Sequence, residues 1–152
     1  MNAIELLKQD HEKVRKLLEE LSDTTERAVK KRAELLQKIA LELQVHTTIE
    51  EEDFYPAFKQ AGSKDELKMY HEAKEEHRAV EALVLPDLLG TDPGTVEFSG
   101  RLKVLKELLE HHIEEEEEEM FKDAQKLMSK EELTTLGKQM EEKKLKLMKA
   151  AA

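Results

Sequence analysis

The chain has 152 residues, of which 39% are charged, with a net charge of -10, five glycines, three prolines and no cysteine. That length suits one domain with a substantial core, and the lack of cysteine excludes disulfides, thiolate metal sites and thiol nucleophiles. The acidic balance argues against a nucleic-acid surface, which needs a basic footprint, and no apolar run approaches the roughly 20 residues that span a bilayer.

Few breakers and abundant Glu, Lys, Leu and Ala favour helix throughout. The first helix is predicted from about Ala3 to Leu21, capped by Asn2, with Ile4, Leu7, Val14, Leu18 and Leu21 at helical spacing. The second is predicted from about Thr25 to Gln60 along Leu35, Ile39, Leu43, Phe54 and Phe58, with Pro56 bending its last turns. Ala61-Gly62 ends it, and Ser63 with Glu66 forms a capping box for the third, which runs to Leu85–Leu89 along Tyr70, Ala73, Val80 and Val84. Asp92 and Pro93 signal the start of the fourth, about Thr95 to Leu127, with Phe98, Leu102, Leu105, Leu109, Met120 and Ala124. Ser129 with Glu132 caps a last helix whose stripe is Leu133, Leu136, Met140 and Leu147. The expected fold is all-α: an antiparallel up-down-up-down four-helix bundle over residues 1–128, with an additional C-terminal helix and Lys-rich tail over 129–152 that packs on the bundle or on a partner.

Six histidines are present. At about 100° per residue, His11, His46, His77 and His112 each fall on the apolar stripe of a different helix. His71 and His111 lie about 100–120° off the inward direction and are expected on the surface. The second and fourth helices share H-x-x-x-E, His46 to Glu50 and His112 to Glu116, which stacks a carboxylate one turn beyond an imidazole. A lone inward histidine is ordinarily a core residue, and the Glu run from 114 to 119 is mostly a solvated face. Four inward imidazoles with two inward carboxylates form a buried polar cluster that needs compensation, which a metal pair supplies. Imidazole and carboxylate together suit iron, manganese or zinc.

Asp10-His11, His46-x-x-x-Glu50-Glu51-x-x-Phe54-Tyr55-Pro56, Glu76-His77 and His112-Ile113-x-x-Glu116-Glu117 with Met120-Phe121 together resemble the hemerythrin-like, or HHE cation-binding, family over Ile4 to Lys126. The resemblance implies a bundle holding two non-haem iron ions joined by an oxo or hydroxo bridge. It implies His11, His46, His77 and His112 as terminal ligands and Glu50 and Glu116 as bridges. Respiratory hemerythrins carry H-x-x-x-H on the third helix, whereas this chain has Ala73 four residues before His77. Tyr70, Asp53, Glu76 or a water are the candidates to complete the coordination, with Glu119 the counterpart of Asp53 on the fourth helix. Asp10, Glu51 and Glu117 are candidates to accept the outer N–H of a ligating imidazole.

Three functions follow as expectations. The first is binding or sensing of O2, nitric oxide or peroxide at the metal pair; the second is a catalase-like or oxidase enzyme. The third is iron handling, or a bundle that metal merely holds together. The expected partners are a small diatomic ligand or peroxide, with no nucleic acid and no membrane, in a monomer or weak homodimer. The start MNAIELLKQDHEKV lacks the apolar stretch of a secretory signal, so a cytoplasmic location is expected.

Overall fold

A computed structural model describes residues 1–152. Five helical rods and no strands make up the chain. Helix α1 is Ala3–Ser22, and Asn2 caps it by accepting the Glu5 N–H. Helix α2 covers 29–61, built from Val29–Ile49, a π-turn Glu50–Phe54 and Tyr55–Ala61. Helix α3 covers 64–89, built from Lys64–Ala79, a π-turn Val80–Val84 and Leu85–Leu89. Helix α4 covers 96–127, built from Val96–Glu115, a π-turn Glu116–Met120 and Phe121–Leu127, and α5 is Lys130–Ala151. The capping boxes Ser63/Glu66 and Ser129/Glu132 are both formed. No helix is long and apolar enough to cross a membrane.

One predicted boundary moves, and one predicted start signal is used elsewhere. Helix α2 begins at Val29 rather than Thr25, because Thr24 turns back to close α1: its hydroxyl donates to the Leu21 carbonyl and its own carbonyl accepts from Arg32. Helix α4 is capped by Thr95, whose hydroxyl accepts the Phe98 N–H, while Asp92 is spent on the Gly94 N–H inside the loop.

The core divides into two apolar clusters, and the order in which each rod meets them gives the topology. Helix α1 passes from Ile4 and Leu7 in one cluster to Val14, Leu18 and Leu21 in the other; α2 passes back, from Leu35, Ile39 and Leu43 to Ile49, Phe54 and Phe58. Helix α3 runs from Ala73 to Val80 and Leu88, and α4 returns from Phe98, Leu105 and Leu109 to Met120 and Ala124. The bundle is therefore up-down-up-down. Helix α5 adds Leu133, Leu136 and Met140 to the first cluster and packs on α1 and α2. Gly137 permits that close approach, since a Cβ there would lie 2.5 Å from the Asn2 carbonyl carbon.

At the far end the buried Arg32 guanidinium ties the connections together. It donates to the carbonyls of Thr24 and Pro93 and to the hydroxyls of Thr24 and Ser99, and it lies over the Phe98 ring. A buried cation so fully met by acceptors is a structural clasp.

Candidate metal centre

Between the two apolar clusters lies a polar layer to which each of the first four helices contributes one buried imidazole: His11, His46, His77 and His112. Glu50 and Glu116 join them, and both are buried. Glu50 Oε1 lies 3.1 Å from His46 Nε2 and 3.2 Å from His77 Nε2. Glu116 Oε1 lies 3.1 Å from His11 Nε2, and its Oε2 lies 3.2 Å from His112 Nε2. Each carboxylate thus touches one imidazole from α1/α2 and one from α3/α4. The donor atoms fall into two sets that share both carboxylates: His11, His46, Glu50 and Glu116, and Glu50, His77, His112 and Glu116. Within each set all ligand atoms lie within 4.8 Å of one another.

The outer nitrogens are ordered by a ring of carboxylates that runs round the bundle. Asp10 on α1 bonds His46 Nδ1 on α2 at 2.9 Å, and Glu51 on α2 bonds His77 Nδ1 on α3 at 3.3 Å. Glu76 on α3 bonds His112 Nδ1 on α4 at 2.8 Å, and Glu117 on α4 closes the ring on His11 Nδ1 at 2.7 Å. Each of these carboxylates adjoins an inner residue in sequence (Asp10 with His11, Glu51 with Glu50, Glu76 with His77, Glu117 with Glu116) and serves the histidine of the next helix. A carboxylate accepting at Nδ1 keeps the proton there and turns the Nε2 lone pair inward, the arrangement metal-binding histidines use. The structure brings Asp10, Glu51 and Glu117 into this role and adds Glu76.

Charge in the metal-free cluster is carried by protons. Burial works against a charged His46, yet Glu50 and Asp10 outweigh it and push the ring up to about 10. For His77 burial and the neighbouring His112 are outweighed by Glu50 and Glu51, giving about 9. Burial likewise opposes charge on His112, which its contacts with Glu116 and Glu76 raise well above the usual range. A cation pair fits this donor set. One buried carboxylate oxygen, Glu50 Oε2, has no hydrogen-bond partner, and His77 Nε2 and His112 Nε2 face each other at 3.1 Å, a contact that needs a proton or a cation between them.

One further side chain, Tyr55, reaches the cluster. Its Oη donates to Glu116 Oε2 at 2.7 Å and lies 3.2 Å from His77 Nε2 and 3.4 Å from Glu50 Oε1. Burial, reinforced by Glu116 and Glu50, holds this phenol well above its ordinary range. On an ideal helix Tyr55 sits about 140° from Glu50 and would face away. The π-turn changes that: the Tyr55 N–H bonds the Glu50 carbonyl, so five residues make the turn. The same five-residue turn in α4 places Phe121 beneath the cluster, its ring stacked on His11 with centroids 5.7 Å apart. The matching aromatics five residues beyond Glu50 and Glu116 were the available signal.

The other candidates lie elsewhere. Tyr70 packs edge-on against Tyr55 beneath the ammonium groups of Lys59 and Lys74. Asp53 is buried but pairs with Lys143 at 2.8 Å, and Glu119 is exposed. Glu76 is in place as an acceptor for His112. His71 and His111 are on the surface, as their angles predicted. An apolar cavity of about 30 Å³ adjoins all four imidazoles on the side of Val14, Leu43, Val80 and Leu109. A second of about 30 Å³ reaches His112 and Glu116 past Met69 and Ala73. Each has room for about a single water-sized molecule.

Comparisons with known proteins bear on the fold and the family. The crystal structure of a hemerythrin HHE cation binding domain-containing protein, the Rv2633c homolog from Mycobacterium kansasii, superposes with a TM-score of 0.86 at 28% identity, covering 99% of this chain and 90% of that one. A protein named DNA nickase from Nostoc sp. (strain PCC 7120 / SAG 25.82 / UTEX 2576) is 28% identical over 133 residues. That match takes in 87% of this chain and 36% of the relative, so the chain spans about a third of that protein's length. The profile of the Hemerythrin HHE cation binding domain matches residues 2–124, and the chain belongs to that family.

Proposed function

We propose that the chain is a non-haem di-iron protein that binds or reacts with O2, peroxide or nitric oxide at its His4Glu2 core. The observation that carries this reading is the pair of four-residue donor sets sharing Glu50 and Glu116, each carboxylate reaching imidazoles from both halves of the bundle. His11 and His46 would hold one ion, His77 and His112 the other, with Glu50 and Glu116 between them and Tyr55 beside the second. A bound iron pair supplies one-electron redox steps and an electrophilic position for a small oxygen- or nitrogen-containing ligand.

The chain's own residues supply the rest. The four outer carboxylates fix each imidazole tautomer and ring plane, so the donors converge without reorganisation. Tyr55 Oη holds a proton against Glu116 in the metal-free protein and must give it up to become a donor to a cation. Val14, Leu43, Val80 and Leu109 line a cavity of about 30 Å³ next to the imidazoles, which has room for a molecule of about the size of water, O2 or hydrogen peroxide. The nickase name belongs to the Nostoc relative, of which this chain spans about a third, and is not carried over to this site. The predominance of neutral imidazole over carboxylate leaves positive charge on the ions, favouring capture of a small ligand over demanding C–H oxidation. We place the chain in the cytoplasm as a monomer or weak homodimer.

The test is to load the protein anaerobically with ferrous iron and mix it separately with O2, hydrogen peroxide and nitric oxide under stopped-flow optical detection. A rapid spectral change with at least one is expected, and multiple turnovers with peroxide would mark the catalase-like form. Full iron loading with no response to any of the three would leave iron handling or structural metal binding as the function.

A further inference from the structure

Of the four carboxylates in the outer ring, Asp10 differs from the others in burial and in company. It is 3% exposed, whereas the side chains of Glu117, Glu51 and Glu76 are 21%, 32% and 27% exposed. Its Oδ2 accepts from His46, and its Oδ1 is taken by the ammonium of Lys144, which arrives from α5 134 residues away in sequence. Glu117 has Arg15 at 3.7 Å on a more open edge, and no lysine or arginine pairs with Glu51 or Glu76. On the neighbouring residue of α5, Lys143 pairs with Asp53 and Glu52, neither of which bonds a histidine.

The strength with which a carboxylate draws on an imidazole N–H sets how much electron density the opposite nitrogen offers a cation. An ammonium on the far oxygen of that carboxylate withdraws density, and in a partly buried setting water screens it little. The Asp10–His46 pair is therefore the one relay whose carboxylate is shared with a lysine ammonium. We propose that Lys144 is a positioning residue of the metal centre: acting through Asp10, it lowers the donor strength of His46 and makes the His11/His46 position bind its cation more weakly than the His77/His112 position. This rests on the dinuclear reading above. It makes α5 a working part of the centre, and it draws on no property of bound iron in particular.

The test uses the full chain and Co(II), whose d–d absorption reports each ion as it binds. Wild type is compared with Lys144→Met, Lys144→Arg and Lys143→Met, each also followed by thermal melting. Wild type is expected to take two Co(II) in distinguishable steps. Lys144→Met should tighten the weaker step, by roughly tenfold for an altered outer partner, and shift its band while leaving the tighter step unchanged. Lys144→Arg should restore wild-type behaviour, and Lys143→Met should leave both steps alone. A merely structural role predicts the opposite sign, a loosening of both steps in proportion to the loss of melting temperature; that result, or unchanged binding in Lys144→Met, would overturn the inference. Should Lys144→Met fail to fold, Lys144→Gln, which drops the charge and keeps a donor, carries the same expectation. Uptake of fewer than two Co(II) by wild type would instead defeat the dinuclear reading itself and the inference with it.

Discussion

Replacing Tyr55 by Phe removes one oxygen and little else, which makes its consequences calculable. The lost Oη donates to Glu116 Oε2 at 2.7 Å and lies 3.2 Å from His77 Nε2. Glu116 keeps His11 and His112 as partners, so no charge is stranded. A hydrogen bond to a charged group contributes about 1.5–3 kcal/mol, and the lower end applies where the acceptor stays satisfied. At about 2–4 °C per kcal/mol for a domain of this size, the metal-free variant should melt roughly 3–6 °C lower. Loaded protein should change more. The His77/His112 position loses the phenol beside His77, so its affinity should fall by at least roughly tenfold, while the His11/His46 position holds. Any phenolate-to-metal charge-transfer absorption of the ferric protein should vanish. Stepwise metal titration with optical detection measures both effects, with Tyr70→Phe as the control expected to match wild type. Unchanged affinity at both positions and an unchanged spectrum in Tyr55→Phe would refute the assignment of Tyr55 to the centre.

Other perturbations separate neighbouring ideas. Ala73→His enlarges a buried position of the first apolar cluster and should cost about 1–3 kcal/mol by overpacking, but combined with Tyr55→Phe it should recover affinity at the His77/His112 position and slow any peroxide turnover, read by titration and stopped-flow. In metal-free protein, His46 near 10 and His77 near 9 have folded values above the unfolded 6.5. Their stabilisation is full below about pH 6.5 and lost as pH rises through about 9 to 10, so melting temperature should fall over that range and only in the metal-free form. The same protonation means that loading at pH 7.5 should release about two or more protons per chain, measurable by calorimetry in buffers of different ionisation enthalpy. Arg32→Ala removes the clasp at the far end and should cost about 3 kcal/mol, or roughly 6–12 °C in melting temperature, with metal stoichiometry unchanged.

The helical spacing of apolar residues and the caps at Asn2, Ser63 and Ser129 made the five rods and their order legible from the sequence. The convergence of His11, His46, His77, His112, Glu50 and Glu116 was equally legible, because the four imidazoles sit on regular α-helix and the two carboxylates are the first residues of their π-turns, ahead of the displacement those turns produce. Tyr55 was not, because an angle counted at 100° per residue fails across a π-turn; the phenol was sought at Tyr70, on the regular stretch of α3. Pro56 and Pro86 follow two of the π-turns, but the third has no proline, so proline alone does not encode them. The outer ring was half legible: Asp10, Glu51 and Glu117 were marked by sequence proximity, yet each serves the histidine of the next helix, and only packing decides that. Lys144 was beyond reach, since nothing local in a lysine-rich tail singles out the residue that meets Asp10.

The central claim is that the polar layer holds two cations between four imidazoles and two shared carboxylates. Metal content per chain, determined by elemental analysis after iron loading and desalting of wild type, His112→Ala, Glu116→Ala and His111→Ala, tests it most directly. The account predicts close to two ions in wild type and in His111→Ala, and a loss of one or both in His112→Ala and Glu116→Ala. A full load in His112→Ala, or an empty site in His111→Ala, would contradict it.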